Sequence, residues 1–427
     1  MSDEFKSLVG QLLQYALSNL LPKDREEIIG RTGIESIPAR KQLVRVLADS
    51  TQFSVMVGYL RRTTPFDGYY PDVDCQWIVA SIVDIILDGC RPVTKGGWKS
   101  NVDPRLLSRS IERNFAAISA ELARPYWPFQ LISPIYGLSS KDPIQLGPPF
   151  SCTVQRLTKQ ELSALFEPTS LVSPQMSRAE MKQIEGLFSI LIDVHIPKPH
   201  DPLEPVSLTE PKLAVERVVE LMSLYKEGDI QGQGVYLVPK SVFLPKVALG
   251  FQLQEPIPMD KDFTLELSDV ARIEEFAANV QKLMLESQKS KKTRYLDVSI
   301  RYFASSRQKR DLSDRLVDLM TAFEALMSED RGEITFTLSS RVATLSSSSM
   351  TERAQIFRDF KKLYSKRSKI VHGDANEPEV TREEILKLEE FYRSCTKKIF
   401  AKGQIKTKDE FISELDDLLL NPSFHDA

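Results

Sequence analysis

The spacing of apolar residues changes twice along this chain, and the changes divide it into regions. Over residues 1–92 apolar positions recur three and four apart, the helical period. Phe5, Leu8, Leu12, Leu13, Ala16, Leu17 and Leu20 make one face, ending at Pro22. Leu43, Val44 and Leu47 make a second, and Val55, Val57 and Leu60 a third, closed by the run from Arg61 to Pro65. Trp77, Ile78, Ile82, Ile85 and Ile86 form a fourth, stopped at Gly89. A small helical bundle is predicted there.

Between 93 and 262 prolines crowd in, among them Pro125, Pro128, Pro134, Pro143, Pro148 and Pro149. Short β-prone runs replace the helical spacing: Phe150–Val154, Ile190–Ile196, Val235–Val238 and Val247–Leu253. Two helices interleave, near Lys159–Phe166 and Pro211–Tyr225. This pattern predicts a mixed α+β domain with an antiparallel sheet.

From 265 to 403 the helical period returns. Asp269 can cap a helix carrying Ile273, Phe276, Val280 and Leu283. A basic link, Lys289–Arg294, leads to Leu296, Ile300 and Phe303, and a last helix carries Ile385, Leu388, Phe391 and Tyr392. In the tail, 404–427, Phe411, Leu415, Leu418 and Leu419 share a face beside Asp416 and Asp417. Such an acidic amphipathic helix is expected to dock on its own body. The predicted fold class is multidomain α+β: an N-terminal helical bundle, a middle mixed α+β domain and a C-terminal all-α helical bundle.

Charges interrupt three of the C-terminal stripes. Glu324 stands among Val317, Met320 and Met327, Arg341 among Ile334, Leu338 and Leu345, and Arg367 among Ile356, Phe360, Leu363 and Ile370. A lone buried charge costs several kcal/mol unless paired, so the three should meet or line a wet cleft. The purely structural alternative is a Glu324–Arg341 ion pair locking two helices, which leaves Arg367 over.

His372, one of 4 histidines, follows Arg367 by five residues. Around it lie Arg353, Arg358, Lys361, Lys362, Lys366 and Lys369, with Asp359 the only acid between Arg353 and His372. A near-neutral imidazole, a guanidinium and surrounding cations are what metal-free cleavage of an RNA phosphodiester requires. The four lysines are candidates for RNA backbone contacts, although any one of them alone reads equally as part of a solvated helix face. On a regular helix, five residues at about 100° each put His372 about 140° round from Arg367. The two share a face only if the helix ends or kinks before Gly373; otherwise the site is composite, with two chains contributing both residues.

Composition narrows the classes. At 427 residues two or three domains are expected, and 42% hydrophobic with 27% charged residues fits a globular chain. The formal net charge is -3, so affinity for nucleic acid must come from a local patch. Cys75, Cys90, Cys152 and Cys395 form no Cys-x-x-Cys pair and read as buried free thiols. His195 and His200 fall in a proline-broken loop without further ligands, so no metal is expected. Gly232-Gln-Gly234 reads as a turn, and neither a Walker A loop nor a Gly-x-Ser-x-Gly elbow occurs. No apolar run is long enough to span a bilayer, and Met1–Lys6 lacks the basic start of a secretory signal, so a cytoplasmic protein without membrane contact is expected.

Three pieces in order carry a family resemblance: Arg315–Leu326, Thr337–Ala343 and Leu363–Gly373, the last with its Arg367-x4-His372 spacing. They resemble the Apea-like HEPN family, bacterial members of the HEPN ribonuclease superfamily, over roughly the last third of the chain. Many members have Asn, Asp or His after the arginine; Ser368 stands there in this chain, and its hydroxyl can still hydrogen-bond. The resemblance implies a cofactor-free endoribonuclease with Arg367 and His372 catalytic, Glu324, Arg341 and Ser368 supporting, and a homodimer with a shared cleft. It also implies antiphage or toxin-like activity, with the middle domain as sensor. The alternatives are an inactive HEPN scaffold binding RNA or nucleotide, and an adaptor recruiting a protein partner through the N-terminal bundle. That bundle faintly resembles death-fold-like effector-associated domains around Arg25–Gly33.

Overall fold

The computed structural model describes residues 3–19, 43–63, 75–88, 104–166, 182, 184–197, 209–232, 234–241, 243, 249–252, 261–287, 291–328, 334–373, 379–401, 403–404 and 406–420. They gather into two compact units. The first comprises Met1–Pro134, Arg156–Leu213 and Gly234–Leu253, and the second Ile135–Gln155, Ala214–Gln233 and Gln254–Ala427.

The first unit opens with helices α1 (Asp3–Asn19), α2 (Thr51–Thr63), α3 (Cys75–Asp88) and α4 (Pro104–Ala123). Phe5, Leu12, Leu13 and Ala16 of α1 are buried, as are Ile78, Ile82 and Ile86 of α3. On α2 the buried face is Phe53, Met56, Val57 and Leu60, and Val55, expected inside, is exposed. The spacing 53, 56, 57, 60 is the fuller helical stripe. The spacing did not predict α4. Pro104 opens it, at the position where a missing N–H is tolerated. Ser110 donates to the Ile86 carbonyl at 2.8 Å, and the Phe115 ring lies 6.0 Å from that of Phe5. The Arg25–Gly33 segment lies outside the described residues.

Strand β1 (Tyr126–Tyr136) begins in this unit. With β5 (Phe188–Pro197), β7 (Gly234–Pro239) and β8 (Leu249–Gln252) it gives the order β5-β1-β7-β8. β1 pairs antiparallel with β7 from Phe129↔Pro239 to Ile132↔Tyr236, and β7 antiparallel with β8. Helix α5 (Lys159–Phe166) begins with a capping box in which the Glu161 carboxylate accepts from the Thr158 backbone at 2.7 Å. Ile132, Leu157, Leu165, Ile184, Leu191 and Tyr236 form the core beneath it. His195 lies exposed on β5, not in a loop, its ring 4.3 Å from that of Tyr126. His200 lies outside the described residues.

The second unit holds strands β2 (Leu138–Ser140), β3 (Ile144–Leu146), β4 (Cys152–Arg156), β6 (Gln231–Gly232) and β9 (Phe263–Leu265). β3 and β4 form an antiparallel hairpin, β2 and β9 pair in parallel, and β6 pairs with the end of β1 at Ile135↔Gly232. Gly232 and Gly234 therefore close one strand and open the next, where a turn was expected. The rest is helical: the second half of α6 (Thr209–Tyr225), then α7 (Val270–Ser287), α8 (Tyr295–Ser306), α9 (Leu312–Met327) and α10 (Ile334–Ser346). α11 (Met350–His372), α12 (Arg382–Ala401) and α13 (Lys408–Leu420) follow. The aromatic core stacks Phe303 on Tyr392 at 4.6 Å and sets Phe323 edge-on to Phe360 at 4.9 Å. Thr381 with Glu384 and Thr407 with Glu410 are capping boxes opening α12 and α13. As expected, α13 docks on this unit: Phe411, Ile412 and Leu415 are buried, while Leu419 stays exposed. Cys152 and Cys395 are buried free thiols, each pushed up to about 12 by burial. Among the described residues no helix is long and apolar enough to cross a membrane.

Candidate active site

α11 runs without interruption through both Arg367 and His372. It stops because Gly373 adopts the left-handed conformation, at φ +66°, and its N–H returns to the Ile370 carbonyl at 3.1 Å. The helix does not end before His372, so at regular helical geometry the two side chains of one chain lie about 140° apart. His372 is exposed at the helix end, beside exposed Val371.

Arg367 is not the unpartnered charge. Its guanidinium reaches the Glu324 carboxylate of α9 at 3.2 Å, both side chains about one-fifth exposed. The other Glu324 oxygen accepts from the Tyr364 hydroxyl at 2.6 Å, and the Arg367 guanidinium lies 5.8 Å from the Tyr364 ring centre. Burial, reinforced by Glu324, pushes the Tyr364 phenol well above its ordinary value, which keeps it a donor. Tyr364 thus steadies Glu324, and Glu324 holds Arg367. Ser368 lies next to them, half-buried.

The expected Glu324–Arg341 pair does not form. Arg341, 2% exposed, is held by both oxygens of Asp416 on α13, at 2.9 and 2.8 Å, and donates to the Met327 carbonyl. Of the three charges expected to meet, two do. Three buried stripes cannot say which carboxylate serves which arginine, and Asp416 lies far along the chain.

The lysines divide as well. Lys366 is engaged, 2.7 Å from both Glu384 and the Glu379 carbonyl. Burial would raise the Glu384 carboxyl, but Lys366 and the Thr381 N–H outweigh it and hold it below its ordinary value. Lys362 lies 3.9 Å from Glu384 with its side chain 72% exposed, and Lys361 and Lys369 are exposed. With Arg358 they edge a shallow recess of about 500 Å³ along α11.

A second charged cluster was not anticipated. Glu389 of α12 is fully buried and accepts from Arg315 at 2.7 Å, Arg393 at 2.7 Å and Arg307 at 2.9 Å. Burial alone would raise its carboxyl, but the guanidiniums, Arg307 foremost, hold it below the ordinary carboxylate range. Arg393 also donates to the Ser223 carbonyl and Arg307 to that of Gly228, which ties residues 214–233 into this unit. The sequence signal was present: Ile385, Leu388, Glu389 and Tyr392 follow helical spacing, so Glu389 stands on the apolar face.

No known protein family, characterised protein or solved structure matches the chain.

Proposed function

We propose that the chain is a metal-independent endoribonuclease effector of the HEPN type, cytoplasmic and dimeric. The observation that carries this reading is the end of α11. An exposed imidazole and a guanidinium held by a carboxylate occupy its last two turns, and the same helix carries a cationic recess. Because one chain keeps Arg367 and His372 on different faces, the reading requires a second chain, whose α11 end supplies the complementary residue. The RNA 2′-hydroxyl attacks the adjacent phosphate. His372 accepts its proton, or supplies one to the leaving 5′-oxygen, while Arg367 neutralises the pentacoordinate phosphate. Products are a 2′,3′-cyclic phosphate and a 5′-hydroxyl, and DNA is spared because it lacks the attacking group. Antiphage or toxin-like growth arrest is the role that fits such an activity.

The engagement of Arg367 by Glu324 favours a second reading, a scaffold that binds RNA without cutting it. One experiment separates the two. Purified full-length protein is incubated with RNA in EDTA, alongside His372→Ala and Arg367→Ala. Cleavage with cyclic-phosphate ends is expected only from the parent. His372→Ala should melt like the parent, and Arg367→Ala lower, because it strips Glu324 of its cation. Mixing the two variants should restore part of the activity, since the shared cleft of the mixed dimer keeps one Arg367 and one His372, on opposite chains. Undiminished cleavage by His372→Ala removes that residue from the chemistry, strict dependence on magnesium removes the mechanism, and binding without cleavage by the parent leaves the scaffold.

A further inference from the structure

Next to Lys361 of the cationic recess along α11 stands an aromatic pair. Phe336, in the first turn of α10, leaves 55% of its surface exposed. Its ring meets that of Phe357 on α11 edge-on, centroids 5.5 Å apart and planes 72° apart. Lys361 then stands with its Nζ 5.9 Å over the Phe357 ring. A partly exposed ring is thus braced from below by a second ring and followed by a row of cations. From Arg358 through Lys361 and Lys362 to Lys369 that row climbs about 16 Å of helix, the reach of roughly a few nucleotides.

We infer that Phe336, braced by Phe357, is a stacking platform for one unpaired RNA base, with Arg358, Lys361 and Lys369 following the phosphates that lead from it along α11. The inference rests on the RNA reading above and adds that the substrate is single-stranded at this point. The chemistry favours a base over an apolar peptide. Phe336 also borders an apolar recess with Ile334, Leu338, Leu419 and Leu420, but Lys361 stands over the ring that braces it, and a flat π-face leading into a row of charge is how unpaired strands are held without regard to sequence. A duplex cannot use the platform, because its bases are already stacked on one another. The lysines nearest Glu384, Lys366 above all, are engaged in ion pairs, so the row that remains is the outward one.

The test uses the full chain carrying His372→Ala, so that RNA survives the measurement. Its probe is a short single-stranded RNA of mixed sequence with one 2-aminopurine, and the same strand as a duplex. The single strand should bind more tightly than the duplex, with its 2-aminopurine quenched. Phe336→Leu, which keeps the apolar volume but removes the ring face, should weaken single-strand binding about tenfold and relieve the quenching. Phe336→Tyr should restore both, while Lys361→Gln should lower the salt dependence of binding for both forms. Phe336→Leu binding like its parent, or equal loss for single strand and duplex, overturns the platform while leaving the RNA reading intact. A change in oligomeric state in Phe336→Leu also overturns it, making this patch a contact between copies. Failure of the parent to bind any RNA overturns the platform and the RNA reading together.

Discussion

Glu389 shows how one carboxylate can organise an interior. With three guanidiniums on it and no exposure, it is the counter-ion on which Arg307, Arg315 and Arg393 converge. Removing one partner of such a cluster leaves buried charge without compensation, so Glu389→Gln should lower unfolding stability by about 3–5 kcal/mol in urea titrations. Its carboxyl is held below the ordinary range when folded, so its contribution is complete above the unfolded value near about 4.3. It is then lost as pH falls through the folded value. Acid titration followed by circular dichroism should show Glu389→Gln losing less stability between neutral pH and acid than the parent does. An unchanged acid limb would mean that other carboxylates set it. Residues of this kind were half legible in the sequence. Arg367, Glu324 and Arg341 stood out as charges inside apolar stripes, yet partner choice depends on distances that spacing does not carry. Glu389 escaped notice because Glu390 beside it makes the pair resemble an exposed acidic step.

At the scale of elements, α13 is fastened at two kinds of contact: the apolar set Phe411, Ile412 and Leu415, and the Asp416 clasp on Arg341. Asp416 is about half exposed, which weakens its pull, but Arg341 is not and would be left with the Met327 carbonyl alone. Asp416→Ala should therefore cost about 1–3 kcal/mol, and Arg341→Met should recover much of that loss in a double-mutant cycle read by thermal melts. Additive single effects would show that the clasp couples nothing. Elements with both a clean apolar period and a capping box were the ones the sequence placed well: Lys159–Phe166 was matched end to end, α12 fell on its predicted face, and α13 did so at Phe411 and Leu415 but not at Leu419, with Ile412 buried instead. β1 was hidden by Pro128 and Pro134, which read as loop signals yet sit inside a strand. In α4 small and polar residues such as Ser110, Ala116, Ala117 and Ser119 thin the apolar stripe, and its period faded below notice.

On the scale of the molecule, the helices from α7 onward are not a closed body by themselves. Arg393 binds the Ser223 carbonyl, and Arg307 binds Gly228 and Asp229. An isolated 265–427 fragment lacks every one of these partners. Deleting 1–123 instead removes only first-unit residues and leaves the second unit whole. On the proposed reading an unregulated ribonuclease would poison its host, so that deletion should be more toxic on expression than the full chain, and His372→Ala should abolish the difference. Growth curves matched for soluble protein decide it. Equal growth would assign the N-terminal helices to choosing the RNA or recruiting a partner.

The two units are each built from three stretches of chain, so the polypeptide passes between them five times. That has a consequence during synthesis. A chain emerging at about 5–20 residues per second cannot close the first unit before residue 253 is out, nor the second before α13 follows. A ribosome that stalls or terminates early releases α11 without the helices that seat it. The arginine and histidine of such a fragment have no fold to hold them, so the end of α11 is assembled all-or-none, and a truncated chain carries no half-built site.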